Sequence, residues 1–174
     1  MTTDHLAGLP AGFDPSSRVW IYQGHRPFTT EEARQIRALL ESFIQSWVSH
    51  GTPVKGFAGI AYDQFVILMA DETASGVSGC STDSSVHLIK QIEQQTDVRL
   101  FDRLNLAFYI DGQVRLIPLT RLPEALNAGE ITPHTLYFNN TIQTKEEFES
   151  KWLIQLKSSW LGAKFGLADA VGAK

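Results

Sequence analysis

The sequence predicts an α+β protein in which an antiparallel sheet carries helices on one face. Segments with helical periodicity alternate with short segments rich in β-branched and aromatic residues, and tight turns join two pairs of these strand-like segments. The predicted order is β-α-β-β-α-β, the ferredoxin-like or split-βαβ order, followed by an extra hairpin strand and C-terminal helices.

The first strand is predicted at Arg18–Gln23, where β-branched and aromatic residues are concentrated. The helix that follows has a clear start, because Thr29 and Glu32 have the spacing of a capping box. Apolar residues then recur at three- and four-residue steps, which predicts a helix over residues 30–49. Its core-facing side chains are expected to be Ile36, Leu40, Phe43 and Trp47.

Two further strands are predicted at Val54–Ala61 and Phe65–Asp71, with a tight turn between them. The second is apolar almost throughout, which is typical of a strand covered on both faces. A Gly/Ser-rich stretch then leads to a helix over residues 82–95. Alternating apolar residues flank Asp111-Gly112 and predict a hairpin, because this pair supplies the positive φ angles of a tight turn.

The rest of the chain is expected to add a short helix at 123–127, a strand at 135–138 and a helix after Thr144. Residues 1–17 show no helical or strand period and are predicted to be a flexible N-terminal arm. Residues 18–160 are predicted to form a single α+β domain, and the small residues of 161–174 predict a C-terminal tail.

The composition argues against several functions. The chain of 174 residues has a net charge of −4 and no basic cluster, so nucleic acid is not an expected partner. The longest apolar run has six residues, so membrane insertion is not expected either, and the absence of a signal-peptide pattern predicts a cytoplasmic protein. One cysteine and five scattered histidines predict no metal site, and no cofactor is expected.

The best candidate for a functional site is the segment Ser78–Ser85, between the apolar strand and the second helix. Free backbone N–H groups and the positive end of the helix dipole at such a junction favour an anion. The same field would lower the pKa of a thiol, so Cys80 is a candidate nucleophile. The candidate ligand-binding residues of this segment are Gly79, Cys80, Ser81, Thr82 and Asp83.

A structural interpretation of the same segment stays open. Ser81, Thr82 or Asp83 could be the N-cap of the helix, and Cys80 could be a small buried residue.

Three further residues are candidate ligand contacts. Arg103 lies in the predicted helix-to-strand loop, and Asn139 and Asn140 follow a predicted strand. A local ion pair or an Asx turn is the alternative for these positions. The basic pair His25-Arg26 could also hold a carboxylate or a phosphate.

Several blocks of the sequence resemble a family of short bacterial proteins commonly labelled "ABC transporter ATPase". The resemblance spans about residues 18 to 160, and its most specific block is SGCSTDSS. Other matching blocks are Arg18–Gln23, Phe101–Arg103 and Phe138–Asn140. The resemblance implies a cytoplasmic bacterial protein, and it implies no catalytic residue.

Three functions follow from these observations. The first is a non-catalytic module that binds a protein partner or a small anionic ligand at Ser78–Ser85, and that could form a homodimer through a sheet edge. The second is a thiol-dependent enzyme that uses Cys80, for which His87 is the only nearby base in the sequence. The third is the ATPase of the family label, which is disfavoured because the Gly-Lys pair of a P-loop is absent.

Overall fold

The computed structural model describes residues 9–73 and 79–167, with the backbone alone for 79–81. Its helices and antiparallel sheets confirm the α+β class. The chain divides into two compact units rather than the single one expected over residues 18–160. The first unit contains the chain up to Asp102 together with 143–149, and the second contains 103–142 together with the chain from Ser150 onward.

The helices and strands of the described residues follow the predicted sequence of types, with two short strands added after the first helix and one strand and one helix added near the carboxyl end. In chain order they are β1 (Arg18–Gln23), α1 (Thr30–Ser46), β2 (Val48–Ser49), β3 (Thr52–Pro53), β4 (Lys55–Ala61), β5 (Phe65–Asp71), α2 (Gly79–Thr96), β6 (Asn105–Ile110), β7 (Gln113–Pro118), α3 (Leu122–Asn127), β8 (Leu136–Phe138), α4 (Lys145–Lys151), β9 (Leu153–Gln155) and α5 (Trp160–Lys164).

The sheet of the first unit has the strand order β1-β5-β4. The central strand β5 is antiparallel to both neighbours, so β1 and β4 run parallel to each other on either side of it. The helix α1 connects β1 to β4, which makes a split βαβ unit. The first three strands therefore follow the predicted order.

The fourth strand of a ferredoxin-like sheet does not join this sheet. Strand β6 pairs instead with β7 and β8, in the second unit's four-stranded sheet of order β7-β6-β8-β9. The outer edge of β1 is contacted by other residues: the Val19 N–H donates to the Gln143 carbonyl at 2.9 Å, and Arg18 forms a bridge with Thr144. The ferredoxin-like order is therefore not completed. Strand periodicity predicts which face is apolar but not which strand is the partner.

One face of the first sheet packs against both long helices. Ile36 and Leu40 of α1 and Ile89 of α2 lie in the same buried cluster as Val66 and Leu68 of β5. Every residue of β5 is buried, as the uninterrupted apolar pattern predicts. The hydrophobic effect on this strand and its two covering helices is the main source of stability of the unit.

Helix α1 begins where the capping box predicts, but it ends earlier than the sequence predicts. The Glu32 N–H donates to the Thr29 hydroxyl at 3.2 Å, and the Thr29 N–H donates to the Glu32 carboxylate at 2.8 Å. The helix ends at Ser46, three residues earlier than predicted, and His50 and Gly51 (φ 49° and 78°) form the turn between β2 and β3.

Because α1 ends at Ser46, Trp47 lies just after the helix, and its side chain is nevertheless buried. Trp47 has extended backbone (φ −71°, ψ 116°), and its side chain is only 2% exposed. It clusters with Val54 and Ala70, and its ring lies over Gly56, where an added Cβ would be 2.7 Å from a ring carbon. Phe43 is half-buried beside Trp47 and packs against the core, as its position on the apolar face of α1 predicts.

The predicted C-terminal tail is packed as far as it is described. Leu161 is fully buried in the core of the second unit, where it clusters with Phe108 and Leu156. A Cβ on Gly162 would lie 2.2 Å from the Lys157 carbonyl oxygen. This small residue therefore permits a close approach of the backbone, whereas the sequence suggested fraying. Residues 168–174 lie outside the described residues.

Two valines of the first unit provide a matched test of the cluster around Trp47. Val54 is 7% exposed and Val48 is 51% exposed. We expect Val54→Ala to lower the free energy of unfolding by ~1.5–3 kcal/mol, because it removes buried apolar surface. Val48→Ala should change it by less than ~0.5 kcal/mol. Urea unfolding measures both, and equal losses would show that Val54 is not part of the core.

The contact between Trp47 and Gly56 makes a second prediction. We expect Gly56→Ala to cost ~1–3 kcal/mol of stability, because the methyl group would overlap the Trp47 ring. Gly12→Ala is the control, since no atom lies within 4 Å of an added Cβ there. A shift in tryptophan fluorescence should accompany only the Gly56 variant. An unchanged melting temperature for that variant would contradict the packing described.

Candidate functional site

The helix α2 begins within the segment that the sequence singles out. It starts at Gly79, which places the amino end of the helix inside this segment. Ser81, Thr82 and Asp83 all lie inside the helix, and none of them is its N-cap. The side chains of Gly79, Cys80 and Ser81, and everything at Ser78, lie outside what the structure describes. Anion binding at this helix start therefore stays a prediction.

The geometry of α2 separates Cys80 from its proposed base. Cys80 and His87 belong to one continuous helix and are seven residues apart. A rise of 1.5 Å per residue places their Cα atoms ~10 Å apart along the axis, well beyond the reach of a direct proton transfer. This spacing gives no support for His87 as the base that activates Cys80.

Asp83 and His87 line a groove between α1 and α2, which we call the helix groove. It has a volume of about 630 Å³ and an apolar floor that includes Phe43 and Trp47. Within the described part of the chain, Asp83 and His87 form no ion pair with each other. The hydroxyl of Ser46, also in this groove, donates to backbone carbonyls of its own helix. The polar groups of this groove therefore do not form a catalytic triad.

The other three predicted ligand contacts belong to the second unit. The Asn140 side-chain oxygen accepts a hydrogen bond from the Trp152 indole N–H at 2.9 Å, and the Asn139 side-chain oxygen accepts one from the Thr141 hydroxyl at 2.6 Å. Both side-chain oxygens thus have hydrogen-bond partners within the protein. Arg103 is exposed.

The basic pair His25-Arg26 has local partners. Arg26 makes two 2.8 Å hydrogen bonds to the Glu32 carboxylate, and this bidentate pair lowers the pKa of Glu32 to about 2. His25 Nδ1 accepts a hydrogen bond from the Arg99 N–H at 3.0 Å. Arg26 therefore supports the capping box of α1, and its guanidinium is already occupied by a carboxylate.

A buried carboxylate lies at the carboxyl end of β5. Asp71 is 2% exposed, and its oxygens accept hydrogen bonds from Lys55 Nζ at 2.7 Å and from the Thr73 hydroxyl and N–H at 2.7 and 3.0 Å. The Asp14 N–H donates to it at 3.3 Å. Lys55 and then Thr73 hold the pKa of Asp71 well below its usual range.

The same lysine holds part of the segment predicted to be a flexible arm. Lys55 Nζ donates to the Gly12 carbonyl at 2.7 Å and lies 5.0 Å from the centroid of the Phe13 ring. Together with the Asp14 contact, these interactions attach residues 12–14 to the sheet. The contacts of Asp71 and Lys55 thus have a structural role, because they hold the N-terminal segment against the sheet. Residues 1–8 lie outside the described residues.

The larger groove lies between α1 and β4, and we call it the edge groove. Its volume is about 720 Å³. Five consecutive residues of β4, Gly56 to Ile60, line it, so it follows the outer edge of the strand as well as one face. The helix side contributes Leu40 and Ile44 with a polar row at the rim: Arg37, Glu41 and Gln45.

Sequence reasoning did not find the edge groove, although one signal of it was available. Gly56 and Gly59 both lie in a short strand, where glycine often marks a close approach of another backbone or of a ligand. The edge position of β4, by contrast, depends on which strands pair, and local sequence does not contain that information.

The two grooves offer surfaces for non-covalent contacts. In residues 9–73 and 79–167, no group of three His, Cys, Asp or Glu residues is placed to hold a metal ion. The two grooves combine apolar floors with exposed polar rims, which is the composition of sites that bind through shape and hydrogen bonds.

Asp71 makes stability depend on pH. Its pKa is lowered in the folded chain, so its stabilisation is present above the ordinary aspartate pKa of ~3.9 and is lost as the pH falls through the lower folded value. We expect Asp71→Asn to be destabilising at pH 5 to 7. The difference from wild type should shrink as the pH falls below ~4.

Urea unfolding at several pH values measures this difference. The control is Asp97→Asn at an exposed position whose positive φ (53°) asparagine tolerates. The control should follow wild type at every pH. A difference for Asp71→Asn that stays constant down to pH 2.5 would contradict the assignment.

None of the helices in the described parts of the chain has the length and apolar character needed to cross a membrane. Comparison of the chain with protein-family models, curated proteins and solved structures found no match in any of the three. The interpretation of the grooves therefore rests on their geometry and chemistry.

Proposed function

We propose that this protein is a non-catalytic binding module that takes an extended segment of a partner protein along the outer edge of β4. The observation that supports the proposal is the edge groove, because an apolar channel lies there beside a strand edge that no other strand of residues 9–73 and 79–167 pairs with. The ligand expected at this place is therefore an extended peptide, whose side chains point to alternate sides of its backbone.

An edge strand offers such a segment backbone hydrogen-bonding groups and apolar surface. Alternate residues along its free side leave their backbone N–H and C=O groups without a partner strand, and an added strand can satisfy them. The half-buried apolar residues beside them, including Phe57 and Ile60, provide surface for side chains of the segment. Backbone hydrogen bonds would supply affinity, and the channel under α1 would supply selectivity.

The composition of the groove favours a peptide over a small anion. Its lining carries one basic side chain, Arg37, and two acidic ones, Glu41 and Asp63. This charge balance repels a simple anion, whereas a segment with mixed side chains can match it. The thiol-dependent alternative has less support, because His87, the base that the sequence offers near Cys80, is seven residues further along the same helix.

A peptide-display selection tests the proposal. A library of random seven-residue peptides is selected on the full chain, and the recovered peptides are measured against two tryptophan variants of α1. Glu41→Trp places a large ring at the mouth of the groove. Ala38→Trp is the matched control, because Ala38 is exposed on the same helix and lines neither groove.

We expect the recovered peptides to bind Glu41→Trp at least tenfold more weakly than wild type and to bind Ala38→Trp like wild type. Recovery of no peptide, or equal binding to both variants, would overturn the proposal. Sedimentation of the proteins without peptide tests the alternative that the groove is occupied by a second copy of the chain. A wild-type dimer that Glu41→Trp converts to a monomer would assign the groove to a second copy and would also overturn the proposal.

A further inference from the structure

The helix side of the edge groove carries a regular row of polar side chains. Arg37, Glu41 and Gln45 are four residues apart on α1, so they follow one another along the rim at ~6 Å intervals. Alternate residues of an extended strand that point to the same side are ~6.6–6.8 Å apart. The spacing along the helix and the spacing along the strand are similar. Successive side chains on one side of a bound strand can therefore lie opposite successive members of the polar row.

The helix and the strand run side by side along this groove. Its lining includes α1 from Arg37 to Gln45 and β4 from Gly56 to Ile60. In a segment added to β4, every second side chain would therefore face α1, and successive ones would meet successive members of the polar row.

The charged members of the row have no ion-pair partner of their own. Within the described residues, neither Arg37 nor Glu41 forms an ion pair, although they are four residues apart on one helix. The neighbouring pair Glu31 and Arg34, in contrast, is joined at 2.6 Å. Asp63 at the β4 side adds a second carboxylate to the groove.

We propose that the edge groove selects an extended segment with an acidic side chain facing Arg37 and a basic side chain, two positions along, facing Glu41. This inference rests on the proposed function and names the chemistry of the partner. The carboxylate of Glu41 favours the basic side chain, and the Arg37 guanidinium favours the acidic one. Charges placed in the opposite order would meet like charges, which is how an interface rejects wrong partners.

The test exchanges the charges on both sides of the groove. One protein carries Arg37→Glu and Glu41→Arg together, and the control protein carries Glu31→Arg and Arg34→Glu, an exposed pair on the same helix outside the groove. The probes are a synthetic seven-residue peptide recovered from the display selection and a version of it in which the acidic and basic residues are exchanged.

We expect the wild type to bind the recovered peptide about tenfold more tightly than the version with exchanged charges. The double variant at positions 37 and 41 should reverse that preference, while the control variant should keep it. The preference should also weaken at high salt, because the charges lie at an exposed rim. Circular dichroism of both variants checks that the helices remain folded.

The outcomes separate this inference from the proposed function. Peptides that depend on the groove, but whose preference does not reverse in the double variant, would overturn the charge assignment and leave the proposed function standing. Peptides that bind the Glu41→Trp variant as well as wild type would overturn both.

Discussion

The complete burial of strand β5 is the constraint on which the first unit depends. Every residue from Phe65 to Asp71 is buried, so the strand must be hydrogen-bonded on both sides and covered on both faces. Its two neighbours consequently become the edges of the sheet. The accessible edge of β4 therefore follows from the position of β5 at the centre.

The polar end of β5 extends this constraint to distant parts of the chain. A buried carboxylate is stable only when its oxygens are satisfied, and Asp71 obtains its hydrogen bonds from Lys55, Thr73 and Asp14. These contacts connect the end of β5 to the start of β4 and to the N-terminal segment. One side chain thus fixes three segments where the strand leaves the core.

The two grooves share the helix α1 but differ in what they can do. The helix groove contains Asp83 and His87, the polar residues that the sequence made conspicuous, yet neither is placed as part of a catalytic pair. The edge groove contains few residues that attract notice in the sequence. Its proposed use as a binding surface rests on a strand edge that no other described strand pairs with, and on glycines, which carry no chemistry of their own. This contrast is the physical reason for favouring binding over catalysis.

Local sequence determined the elements whose signals lie within a few residues of each other. The Thr29 and Glu32 spacing located the start of α1, Asp111-Gly112 located a hairpin turn, and the apolar run of β5 indicated its burial. Each of these rests on a hydrogen bond, a dihedral angle or a periodicity that neighbouring residues specify by themselves.

The tertiary structure decided what depends on distant partners. The pairing of β6 with β7 and β8, the end of α1 at Ser46 and the burial of Trp47 against Gly56 all involve contacts that a local pattern does not encode. The edge groove belongs to this group, because a strand becomes an edge only when the whole sheet is assembled. Periodicity tells which side of an element is apolar, whereas only the assembled fold tells what covers that side and what is left open.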